Sequence, residues 1–494
     1  MVVLSDLPPE ILHHILAYVD PHDLAWIPGT CRQFYHAVTG NSALFKLVYL
    51  NHLDKPPKND VNFEQALKDV VRLQVICRRE SPKAKKQEIN YVHDVVTTML
   101  KNAAGATSNG DRPFASATFP RSRNASLLSE IFKKESNQAA FLCRSLIYER
   151  ARAEWEADKR IPGPPRPENQ KSAHLHCLYG VPLLLAYPTA HRHTRSHKMT
   201  PFACSKVYDL RQYTEKTRWG PFMDDDTGNV DWEKVEAIML VLGANLIKLH
   251  LDQFPICRVF CQSPFAGTWP GSYNALPRVD KPEGLELADP YGVTGTWMRV
   301  VCFLDYTDFY EFNFANVEPA SHIPRPALHA GEATRLILMR ITVTKIEPPG
   351  PEDGQALPVV HFSGISRSLD DSFDENANSD LRGTVRLTRE GEVRWTTFSV
   401  FSGMERWRSE SVQIGGVRSA KGVLGNWFDK DYDPRGPAGP TAFWKISDKT
   451  ASGNGAYDLG PIIAELDETD GDFEPSDFED EESELPDIFE ALVE

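Results

Sequence analysis

Three shortages in this 494-residue sequence each remove a class of protein. Cysteine is the first. The eight residues (Cys31, Cys77, Cys143, Cys177, Cys204, Cys257, Cys261 and Cys302) are scattered, none follows Cys302, and there is no Cys-x-x-Cys pair. That excludes a disulfide framework and a structural zinc site, and the thiols are expected to be buried in a reducing compartment. Long apolar runs are the second shortage. The most apolar windows, Val181 to Tyr187 and Ala237 to Ile247, are too short for about 30 Å of hydrocarbon. The first ten residues lack the basic and uninterrupted apolar stretches of a secretory signal. A soluble protein of the cytoplasm, the nucleus or both is expected, with no membrane partner. The third shortage is catalytic signatures. There is no Gly-x-Ser-x-Gly elbow, Walker loop, His-Glu-x-x-His or dinucleotide glycine fingerprint, and Gly364-Ile-Ser-Arg-Ser368 lacks the second glycine. The reading is a non-enzyme with no cofactor and no metal.

Excess basic charge is missing as well. Lys and Arg number 54 against 69 Asp and Glu, and 15 of the acids lie between Glu465 and Glu494, where no basic residue occurs. The remainder is formally neutral, so no broad basic surface awaits a nucleic acid. Residues 456–494 have the composition of a disordered acidic tail.

The first 54 residues carry the strongest pattern. Asp6 precedes Pro8 and Pro9, which suit a first helical turn. Ile11, Ile15 and Val19 repeat at i+4, with Leu12 and Leu16 beside them, giving an apolar face wider than a lone surface helix needs. Asp20-Pro21-x-Asp23 restarts a helix with Leu24 and Ile27; Cys31, Phe34, Tyr35 and Val38 follow, Pro28-Gly29 predicts a kink or break, and Ser42 is placed to cap another helix. So few residues cannot bury this much apolar surface alone.

Leu7-Pro8-Pro9-Glu10-Ile11-Leu12-x-x-Ile15-Leu16, then Asp20-Pro21-x-Asp23-Leu24, then Cys31-Arg32-x-Phe34, resemble the F-box motif. The resemblance implies docking onto the Skp adaptor, and through it a cullin scaffold, in a Skp–cullin–F-box (SCF) ubiquitin ligase. The positions it implies for that contact are Leu7, Pro8, Ile11, Leu12, Ile15, Leu16, Leu24, Ile27, Cys31 and Phe34.

Residues 55–260 read as a helical platform, with mobile loops near 104–124 and 160–171. One long helix is expected from Gln138 to Lys159, and another from Trp232 capped by Asp231. His174-x-His176-Cys177 has no further ligand at telling spacing and reads as ordinary helix or loop, and Thr217-Arg-Trp-Gly-Pro-Phe222 is patterned but carries no assignable chemistry.

Residues 285–450 switch to β. Candidate strands are Thr296–Leu304, Phe309–Phe314, Leu336–Ile346, Val359–Ser363, Gly383–Leu387, Val393–Phe401, Ser411–Ile414, Gly422–Phe428 and Ala442–Ile446. The fold class is α+β and multidomain, ending in an antiparallel barrel or sandwich; Gly295-Thr-Trp297 resembles the Gly-x-Trp that opens a calycin-type barrel. Arg406, Trp407 and Arg408 are candidate substrate-binding residues, because alternation would set both arginines on one face opposite the tryptophan, suited to an acidic or phosphorylated group. The leading expectation is an SCF substrate receptor presenting an unknown protein target. The alternative is an F-box protein whose barrel binds a small ligand and does not promote degradation.

Overall fold

The structure, a computed structural model, describes residues 7–57, 60–104, 122–155, 166–185, 192–258, 260–261, 263–273, 284–315, 319–320, 323–369 and 378–448. The Asp6 cap, most of the two expected loops and the acidic tail lie outside them.

Four short helices open the chain: α1 (Pro9–Leu16), α2 (Pro21–Leu24), α3 (Arg32–Val38) and α4 (Ser42–His52). The Asp20 carboxylate accepts the His22 N–H at 2.8 Å and so starts α2. Pro28-Gly29 interrupts the helical path as expected: Ile27–Gly29 is a single 3-10 turn, and α3 begins anew. The cap of α4 is Asn41, which accepts the Leu44 N–H at 3.0 Å; Ser42 is already helical.

The platform contains α5 (Phe63–Arg78), α6 (Ile89–Lys101), α7 (Arg123–Phe132), α8 (Glu135–Phe141), α9 (Leu146–Trp155), α10 (Pro167–Tyr179), α11 (Pro182–Leu185), α12 (Arg192–Tyr208) and α13 (Trp232–Lys248). The single helix expected from Gln138 is two, α8 and α9. Side chains of α10 take over the backbone between them: Asn169 Nδ2 donates to the Arg144 carbonyl, and the Arg144 N–H donates to Ser172 Oγ at 3.1 Å. Those tertiary bonds replace the helical ones that continuity would have supplied.

Helix α13 is buried on nearly every side, and its first two charged residues meet the ends of other helices. Glu233 Oε1 accepts the Leu146 N–H at 2.5 Å, at the positive end of α9. Lys234 Nζ donates to the Lys206 and Val207 carbonyls at 2.6 and 3.2 Å, at the negative end of α12. An acidic and a basic residue in succession thus meet the positive and the negative ends of two different helices.

After α14 (Pro255–Arg258) and α15 (Leu285–Ala288), eight antiparallel strands close a barrel in sequence order. They are β1 (Gly295–Leu304), β2 (Glu332–Glu347), β3 (Val359–Ser368), β4 (Ser379–Leu387), β5 (Val393–Phe401), β6 (Met404–Gln413), β7 (Val423–Asp429) and β8 (Ala438–Ser447). The ninth candidate, Phe309–Phe314, is helical: α16 (Tyr306–Tyr310) runs into one π turn, Glu311–Ala315. Aromatic richness gave it a strand-like look. Asp305 instead caps a helix by accepting the Thr307 N–H at 2.8 Å, and the π turn aims Asn313 Nδ2 at the Tyr208 carbonyl, 3.1 Å away.

Strand alternation sends Trp297, Met339, Phe362, Val385, Trp395, Val423 and Phe443 into one end of the barrel, where they form a packed plug. Gly295 is required there, because a Cβ would stand 2.3 Å from the Ser447 carbonyl oxygen. Lys445 Nζ donates to the Gly292 carbonyl at 2.7 Å and lies over the Trp297 ring, sealing that end. The outward residues Met298, Val300, Leu424, Ala442 and Trp444 belong to a different cluster, which includes much of α13 and continues to Leu16 and Leu12 of α1. The Trp444 indole donates to the Ile256 carbonyl at 2.9 Å, and Glu332 of β2 accepts from Tyr208 and Asn245. Barrel, platform and N-terminal helices therefore share one apolar core.

Candidate functional site

Two places on this frame break ordinary packing rules. The first is the N-terminal apolar face. Leu12, Leu16 and Leu24 are buried, and they hold α1 and α2 to the shared core. Ile27 and Phe34 are half-buried against it, and Leu7 is half-exposed. Pro8, Ile11, Ile15 and Cys31 face solvent, with Ile11 50% exposed and Ile15 38%. The ten residues named from sequence thus divide into a set that builds the helices and a set that lies open. Trp26 and Tyr35, which the sequence reading did not select, are also exposed, at 71% and 51%. Cys31 departs from the expectation of buried thiols; the other seven cysteines are buried, and none of the eight forms a disulfide.

The second place is the end of the barrel opposite that plug. The structure separates Arg406, Trp407 and Arg408. Trp407 pairs with Ser399 and Glu405 with Val400, so Arg406 is the extra residue of a bulge. Its guanidinium is exposed and lies 5.0 Å from the Trp407 ring centroid. Trp407 shares the inward register of Ser409 and Ser411 and meets Trp427 edge-on at 5.4 Å. Arg408 turns outward to Glu410, with its Nε 3.0 Å from Oε1, and Glu410 also binds Arg394 Nε at 2.8 Å. A single clamp of two arginines is therefore not formed, since Arg408 is already matched by a buried carboxylate. Trp395 and Trp444 are fully buried, as a packing role requires.

The patterned stretch near Thr217 straps this outer wall. Trp219 stacks on Tyr432 at 3.8 Å, and Phe222 receives the Arg394 guanidinium over its ring. Gly220 passes so close that a Cβ would stand 2.7 Å from Glu410 Cβ. His174 and His176 point to different neighbours: His174 stacks on Trp232 at 3.7 Å, whereas His176 Nδ1 faces Glu236 Oε1 at 2.6 Å. Among the described residues no three of His, Cys, Asp and Glu form a group that could hold a metal ion, and no helix is long and apolar enough to cross a membrane.

Sequence reasoning missed Arg299. It sits in β1 between the inward Trp297 and Val301, opposite Ile337 and Phe443, which face the barrel interior. It is 6% exposed, and its Nε donates to Thr441 Oγ1 at 2.9 Å. Burial alone draws its pKa down to about 10, with no charged group acting on it. Around it the inward positions are small or polar: Thr441, Gly425, Ser411, Ser409 and Thr397. The available signal was a lone charge in an otherwise uncharged strand, at the parity of Trp297.

No curated protein and no solved structure matches the chain. Residues 4–51 match the F-box-like family model, the segment that folds as α1 to α4 and presents Ile11 and Ile15. The chain carries an F-box-like domain at its N-terminus, consistent with an F-box protein.

Proposed function

We propose that this protein is the substrate-recognition subunit of an SCF ubiquitin ligase, acting in the cytoplasm or nucleus. The carrying observation is the exposed aliphatic face of the F-box-like segment, on helices anchored from behind by Leu12, Leu16 and Leu24. Such a face suits the Skp adaptor, which would link the chain to a cullin. The barrel would hold the target protein at the end away from the plug, where Arg406, Trp407 and Trp427 gather. In this reading the protein does no bond chemistry itself. It contributes proximity and orientation for a ubiquitin-charged partner.

The test separates docking from folding. Ile11→Asp with Ile15→Asp should abolish capture by purified Skp adaptor, at least 100-fold weaker, while the melting temperature stays unchanged. Undiminished capture by the double variant would sink the docking assignment. A second reading, a small-ligand barrel in an adaptor-bound complex that does not drive degradation, is favoured by the polar interior around Arg299.

A further inference from the structure

Every other deeply buried guanidinium described in the barrel and its platform contact is matched. Arg325 binds Asp209 at 3.2 Å and the Phe312 and Asn313 carbonyls at 3.0 and 2.9 Å. Arg394 shares Glu410 with Arg408. Arg299 differs: Thr441 Oγ1 takes its Nε, and among the described residues no acceptor meets its two terminal nitrogens. A charge desolvated without a counter-charge is costly, and proteins keep such groups where a ligand completes them.

We infer that the half of the barrel away from the plug binds a carboxylate, gripped by the free edge of the Arg299 guanidinium. The planar fork matches two carboxylate oxygens, and Thr441 fixes its rotation through Nε. Gly425 and Gly439 add no side chains to the facing wall: the Ser411 hydroxyl leans over Gly425 and the Trp427 indole over Gly439. Ser411 Oγ is buried there with no hydrogen-bond partner, a second polar atom awaiting one. Among the described residues one cation faces this depth. The other inward arginine, Arg335, lies at the rim over the Phe303 ring at 5.8 Å. A single desolvated charge is balanced by a monoanion, which favours a carboxylate over a phosphate dianion. Phe303, Trp407 and Trp427 at that end of the barrel suit an apolar or aromatic body behind the acid. Two sources share this chemistry: a small free carboxylic acid and the C-terminal carboxylate of a polypeptide.

The inference rests on the barrel being the binding domain. It is tested on the free full-length protein, so that failure of adaptor docking leaves it untouched. Thermal melting and intrinsic tryptophan fluorescence are followed against octanoate, methyl octanoate, inorganic phosphate, and an apolar pentapeptide with a free or amide-capped C-terminus. Saturable binding by octanoate or the free-acid peptide is expected, at least tenfold tighter than by the ester or capped form, and the arm that binds names the source. Arg299→Met should weaken that binding at least tenfold and raise the melting temperature of the unliganded protein, because it removes an unmatched charge. Arg299→Lys, which keeps charge but loses the fork, should bind with intermediate strength. No binding by either acid, equal binding of acid and ester, preference for phosphate, or an Arg299→Met protein that melts lower or fails to fold would each overturn the assignment.

Discussion

Helix α1 and strand β1 depart from the same packing rule in opposite directions. The helix leaves Ile11 and Ile15 in water although Leu12 and Leu16, on its other side, are buried. The strand is apolar along most of its length and encloses Arg299. An exposed aliphatic side chain is tolerable singly, and becomes informative only when several share one face. A buried charge is informative alone, because its desolvation is worth several kcal/mol. The first kind of departure fits a partner that covers area, the second a ligand that supplies one group.

Four substitutions sharpen that contrast. Glu410 is the matched counterpart of Arg299's situation, since its carboxylate is fully buried between Arg394 and Arg408. Glu410→Ala would strand two guanidinium groups, and chemical denaturation should show a loss of about 3–5 kcal/mol. That sign is opposite to the one expected at Arg299; equal signs at the two positions would erase the distinction. Within α1, Leu16→Ala should cost about 2–5 kcal/mol through an unfilled core site, whereas Ile15→Ala should stay within about 0.5 kcal/mol. Similar losses at both would mean that the exposed face is structural. The last effect concerns pH. Burial pushes Glu233 up to about 7 from an ordinary 4.5. Between those values the folded protein holds a proton that the unfolded chain has released, so stability falls as pH rises, by about 1.4 kcal/mol per unit. Glu233→Gln can still accept the Leu146 N–H and should flatten that part of the profile; a superimposable wild-type curve would show that Glu233 is ionised throughout.

Much of the architecture was legible because local signals agreed. Eight of the strand candidates, the Pro28-Gly29 break and the Asp231 cap follow from turn residues, proline geometry and capping chemistry. Tertiary bonds overrode local preference elsewhere: Asn169 and Ser172 divide the helix expected from Gln138, and Asn313 is drawn to Tyr208 through a π turn. The site was legible only in part. Helical spacing located the apolar face, but it could not say which of Ile11, Leu12, Ile15 and Leu16 point outward, because that depends on where α4 and the platform lie. Arg406 and Arg408 were misjudged as a pair because a one-residue bulge is invisible to strict alternation. Arg299 escaped notice because its lack of a partner is a property of the closed barrel, not of its neighbours in sequence.

The apolar core that runs from Leu12 to Trp444 has a mechanical meaning. Hinges form where few buried contacts cross a boundary, and here the boundary between the helices and the barrel is crossed by α13, Trp444 and Glu332. That boundary is therefore packed rather than hinged. On the proposed function, a target held by the barrel would stand on the end of a bracket rather than a tether, and which of its surfaces met a machine docked at the other end would be decided when the chain folds.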